Sequence, residues 1–200
     1  MFDFAHHMNL LIEDIVKKTP LFSHIKKNHR ILISCAKTKS SLEFGTWAEL
    51  YPMKYENGCY SIREREGEKV YVFKTDQLKI GRREILYILY FMMPRFQNLS
   101  YSEKLETIFH ELYHVAPEFD GKLRQIHPRY AFHGPSIKLY DQTMKYWVRL
   151  YLRNSPNLKR HDFLKLTFDE LKSKEDICLV YIPEPKETMR MMVSRRKKKR

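Results

Sequence analysis

Residues 110–114 read His-Glu-Leu-Tyr-His. On an α-helix, positions i and i+4 lie on one face, so His110 and His114 can offer two imidazole nitrogens to one metal ion. Glu111 stands beside the first of them. There its carboxylate can reach a metal-bound water without ligating the metal. Zinc lowers the pKa of such a water to about 7, and the carboxylate can take its proton. The spacing therefore describes metal-assisted hydrolysis, with His110 and His114 as ligands and Glu111 as general base. The plain alternative is a core helix carrying two unrelated, exposed histidines.

A catalytic zinc requires a third protein ligand and one open position. Glu118, Asp120, His127 and His133 are the downstream candidates. Asp120 falls where the longer signature HExxHxxGxxH/D places its last ligand. That signature turns the chain at a glycine, and here the position is Pro117, whose φ is locked negative. His133 directly precedes Gly134-Pro135 and the next helical pattern, so a helix folding back across the first can return it to the metal. His127 precedes Pro128 in a loop. His133 is the preferred ligand, with Asp120 and His127 as alternatives. Asp120-Gly121 also reads as a turn, and Asp120 as a carboxylate that orients a ligand histidine. Arg124, His127 and Tyr130 can stabilise an oxyanion or serve the structure alone. His6, His7, His24, His29 and His161 have no ligand spacing.

The motif needs a helix, and the sequence provides its start. Ser100 can cap the amide of Glu103 while Glu103 reaches back to Ser100. Leu105, Ile108, Phe109, Leu112 and Val115 give that helix a core face, and Pro117 ends it. A first helix is expected over 4–18, from Leu11, Ile12, Ile15 and Val16 and the stop at Thr19-Pro20. Arg30–Ala36 reads as a buried strand. Gly45–Pro52 is an aromatic-rich connection of no predicted shape. Cys59–Glu64 and Lys69–Lys74 read as a hairpin about Glu66-Gly67-Glu68. The apolar run Arg83–Met93 predicts a second helix, stopped by Pro94. A fourth helix starts at Gly134-Pro135, with Pro at its first position. Its stripe Ile137, Tyr140, Met144, Trp147, Val148 and Tyr151 is read as core. Ile177–Ile182 predicts a last strand, closed by Pro183. The order gives an α+β fold, with a small mixed or antiparallel sheet packed on the motif helix.

Composition sets the outer bounds. The 200 residues, 43% hydrophobic and 14% aromatic, fit one domain with a real core and exclude a largely disordered chain. That domain is expected over 1–185, with a basic, disordered tail over 186–200. Three cysteines with no CxxC pair argue against a disulfide framework or a cysteine zinc site. No run approaches about 18 apolar residues and no secretion signal is visible, so a cytoplasmic protein without a membrane partner is expected. The formal charge is +13, and all six residues of 195–200 are Lys or Arg. Nucleic acid is a possible non-specific partner of the basic surface and tail.

The stretch Met93-Pro94-Arg95-Phe96, Leu99-Ser100, Thr107–His114, Glu118–Gly121, Leu123-Arg124 and His133-Gly134 resembles phage and prokaryotic metallopeptidases. More distantly it is similar to the SprT-like zincins, in which a His-Gly opens the helix after HExxH. The resemblance covers about residues 30–150. It implies a zincin-like fold, zinc on His110, His114 and His133, Glu111 as general base, and a protein or peptide substrate. Two departures stand out. Nineteen positions separate His114 from His133, longer than is usual in SprT-like proteins, and no C-terminal cysteine ribbon is present. A non-catalytic, zinc-stabilised module that binds nucleic acid is the alternative function.

Overall fold

The computed structural model describes residues 1–25, 28–38, 45–125 and 136–193. The chain runs β1 (Phe2–Asp3), α1 (Phe4–Lys18), β2 (Ile31–Lys37), β3 (Ala48–Pro52), β4 (Ser61–Glu66), β5 (Lys69–Thr75), β6 (Lys79–Ile80), β7 (Arg83–Glu84), β8 (Tyr87–Met93), α2 (Tyr101–Tyr113), α3 (Ile137–Arg153), α4 (Phe168–Lys174), β9 (Ile177–Cys178) and β10 (Glu187–Val193). This is a single-domain α+β fold.

β8 organises the interior. It is the middle strand of a mixed sheet in the order β2-β8-β3, parallel to β2 and antiparallel to β3. Alternate residues serve two cores. Tyr87, Leu89, Phe91 and Met93 join the main core with α1, α2 and α3, whereas Ile88 and Tyr90 pack with Met53 and Ile85 in a smaller one. In place of the helix expected over Arg83–Met93 stand two strands, β7 and β8. A strand covered on both faces reads as an unbroken apolar run, which carries neither a period of 2 nor one of 3.6.

The helices follow their end signals. Asp3 caps α1 by accepting the amide of His6 at 3.0 Å, and Phe4, Met8, Leu11, Ile12 and Ile15 are buried. The Ser100–Glu103 capping box is present on α2. α3 begins at Ile137 behind a Ser136 cap; the start expected at Gly134-Pro135 lies outside the described residues. Tyr140, Met144, Val148 and Tyr151 are buried as expected, and Trp147 packs against them.

The C-terminal strand is shorter than expected. Only Ile177–Cys178 is a strand, paired with β1, while Val180 C=O accepts the Cys35 amide at 2.7 Å and carries the chain along β2. The stretch expected as a tail begins with a strand: β10 pairs antiparallel with β5, which also pairs with β4. Residues 194–200 lie outside the described residues.

One polar network ties the helices together. His161 is fully buried, with Tyr101 Oη 2.8 Å from its Nδ1 and Tyr151 Oη 2.9 Å from its Nε2. Tyr151 donates to Asp14 at 2.8 Å, and Lys18 pairs with the same carboxylate. Because Tyr151 gives its proton to Asp14, it accepts from His161 Nε2–H, and Nδ1 accepts from Tyr101. Burial holds the His161 pKa below its ordinary value. The unfolded chain then takes up the proton first, so stability is complete above the unfolded histidine pKa of about 6.5 and falls as pH drops below it. Denaturant melts at neutral and mildly acidic pH should show this loss. Tyr151→Phe should cost about 1–3 kcal/mol at neutral pH, since it leaves the buried His161 Nε2–H without its acceptor and takes one donor from Asp14.

Candidate metal centre

The motif lies where a helix meets an edge strand. α2 has no Gly or Pro inside it, and His114, its C-terminal cap, keeps right-handed helical geometry at φ −70° and ψ −13°. The i/i+4 relation therefore holds to the last residue. The His110 and His114 rings are 4.9 Å apart between centres, at 74° to each other. His114 is buried, while His110 is 27% exposed and so reachable.

Glu111 is fixed from outside the helix. Its Oε2 accepts the Leu50 amide of β3 at 2.8 Å, and its Oε1 lies 4.0 Å from His110 Nε2. β3 is an edge strand, and in an antiparallel pair alternate residues turn their N–H and C=O away from the partner. Leu50 is one of these. Burial pushes the Glu111 carboxyl up to about 8; the Leu50 amide opposes the shift and the Glu49 charge adds to it. A divalent cation beside it inverts that balance. The strand was not foreseen over Gly45–Pro52, so no sequence signal pointed to Leu50.

Tyr140 closes the other side. Its hydroxyl donates to the His110 carbonyl at 3.2 Å, and its ring centre is 4.8 Å from that of His110 and 6.0 Å from that of His114. Burial and the Glu111 charge raise its pKa. Sequence reasoning took Tyr140 as core. It is core, and nothing in the α3 stripe marks the one position that also touches both histidines.

Beyond His114 the chain doubles back. Phe119 and Gly121 adopt positive φ, 51° and 99°, and a side chain at Gly121 would crowd Lys54 and Leu86. Asp120 stays within this turn, accepting the Lys122 amide at 3.2 Å and pairing with Lys122 Nζ at 3.0 Å. Val115 bridges Leu123, and the Arg124 amide returns to the His114 carbonyl at 2.7 Å. The Arg124 side chain donates to the Tyr113 carbonyl at 2.6 Å and stacks over the Tyr113 ring. A cation there also complements the negative end of the helix.

A cavity of about 470 Å³ opens onto these residues. β3 and its approach contribute Gly45, Thr46, Trp47 and Ala48; α2 contributes Glu103, Glu106, Thr107, His110 and Glu111; α3 contributes Asp141, Met144 and Lys145. Three carboxylates, Glu103, Glu106 and Asp141, against one ammonium, Lys145, make this groove acidic in a chain of charge +13.

Residues 4–160 match the family described as "Putative phage metallopeptidase". The chain belongs to this metallopeptidase family. Curated proteins and solved structures give no match. Membership implies a divalent metal and a protein or peptide substrate. No helix among the described residues is long and apolar enough to cross a membrane.

A metallopeptidase must hold its metal, and the histidine pair fits one. Two imidazoles sharing a tetrahedral ion through bonds of about 2.0–2.1 Å have ring centres roughly 5 Å apart, and here they are 4.9 Å apart. Among the described residues no group of three or more His, Cys, Asp or Glu is gathered. Neither Glu118 nor Asp120 joins the pair, and His127, Tyr130 and His133 lie outside the described residues.

Arg124→Ala should destabilise the chain by about 1.5–3 kcal/mol, the range for hydrogen bonds made by charged groups. Urea melts measure this. Arg124→Lys should recover little, because lysine lacks the planar fork that stacks on Tyr113 while bonding the helix end.

Proposed function

We propose that the chain is a zinc-dependent endopeptidase with a zincin-like site. His110, His114 and His133 hold the metal and Glu111 is the general base. When bound, zinc supplies a water of lowered pKa and polarises the scissile carbonyl. The observation that carries the reading is the division of labour on Glu111. Oε2 is committed to the Leu50 amide, so Oε1, the oxygen on the His110 side, is the atom left to take and pass a proton.

The flanks of the undescribed stretch support His133. Arg124 is bonded to the His114 carbonyl at one end. At the other, Ser136 caps the helix that carries Tyr140 against His110. His133 is three residues before Ser136, within about 10 Å of extended chain.

Among the described residues one edge of β3 is unpaired, and it suits an extended peptide. Ala48, two residues before Leu50, turns its N–H and C=O to the same side and lines the groove. A substrate strand paired there by β-augmentation ends beside Glu111, because the Leu50 amide is already taken. The non-catalytic alternative has no use for a carboxylate held 4.0 Å from the first ligand.

Metal analysis and peptide cleavage together test the reading. Wild type should carry one zinc per chain, and His110→Ala, His114→Ala and His133→Ala should each lose it. Glu111→Gln should keep zinc and fold while hydrolysis falls about 10²–10⁴-fold. Undiminished hydrolysis by Glu111→Gln sinks the mechanism, and full zinc in His133→Ala sinks the third ligand.

A further inference from the structure

The sheet β4-β5-β10 stands apart from both cores. None of its described side chains is fully buried, and none belongs to either core. Its two faces differ, and the pairing register shows how. Cross-strand partners in an antiparallel sheet share a face. One face carries the rows Ile62-Phe73-Met189 and Glu64-Tyr71-Met191. The other carries Ser61-Lys74-Thr188, Arg63-Val72-Arg190 and Arg65-Val70-Met192.

All four cations of this second face, Arg63, Arg65, Lys74 and Arg190, are exposed. No carboxylate shares the face, and among the described residues none of the four is ion-paired. With strands about 4.8 Å apart and a rise of about 3.4 Å per residue, they cover a patch of roughly 10 by 14 Å.

We propose that this face binds the phosphate backbone of nucleic acid without reading sequence. Three of the four cations are arginines, whose planar fork suits phosphate oxygens. The interleaved Val70 and Val72 are short and carry no ring to stack on a base. A lipid surface fits less well, because membrane-surface elements insert an apolar face flanked by cations. Here Tyr71 and Phe73 are on the opposite face, so one planar membrane cannot engage both. The site is separate from the metal centre and stands whether or not the peptidase reading does.

Anisotropy of a short labelled DNA duplex of arbitrary sequence, titrated with the full chain between about 50 and 200 mM salt, tests this. Wild type should bind with log K falling linearly in log salt. Arg63→Ser/Arg65→Ser/Arg190→Ser should reduce the slope by about 2–3, at about 0.9 per lost phosphate contact. The matching triple lysine variant should keep it. If the triple serine variant fails to fold, Arg63→Glu alone, at an exposed position, is read the same way. Wild-type slope in the sheet variants overturns the proposal, as does absence of binding at low salt. So does tighter binding to vesicles of equal phosphatidylcholine and phosphatidylserine, or equal displacement by poly-glutamate.

Discussion

A carboxylate withdrawn from water must be hydrogen-bonded or lose its charge. Glu111 is buried at the meeting of α2 and β3, and the hydrogen bond described for it comes from one backbone amide, that of Leu50. The amide is available only because β3 is an edge strand, and β3 is an edge strand because β8 takes the centre of the sheet. The two cores on either side of β8 thus do more than stabilise the domain. They set the distance between helix and strand that gives Glu111 one occupied oxygen and one directed toward His110.

The parts of the site made by local rules could be read from the sequence. Ser100 and Glu103 mark the start of α2, the spacing of His110 and His114 puts them on one face, and Asp120-Gly121 forms the turn its residue types announce. The parts made by tertiary packing could not. β8 has no period because both its faces are covered, so it imitates a helix. Leu50 and Tyr140 act through a backbone amide and through a position in an ordinary core stripe, and neither role leaves a mark on residue type. β10 was hidden by its composition: a methionine- and arginine-containing stretch before a basic run looks like tail until β5 offers it a partner.

Charge is sorted across the molecule. The groove beside the histidines collects Glu103, Glu106 and Asp141, while the net excess of lysine and arginine lies elsewhere, including one face of the outlying sheet. An acidic groove favours cations, metal or peptide, at close range. A positive exterior favours polyanions at distances set by the Debye length, about 8–10 Å at ordinary salt. The two fields act on different ligands and need not compete.

His161 gathers groups from α1, α2 and α3 around one ring, through Asp14, Tyr101 and Tyr151. The segment that carries it therefore works as a keystone between the helices. A version of the chain cut before this residue would leave two tyrosine hydroxyls facing a hole, and the packing between its helices would loosen even though every residue of the histidine motif was still in place.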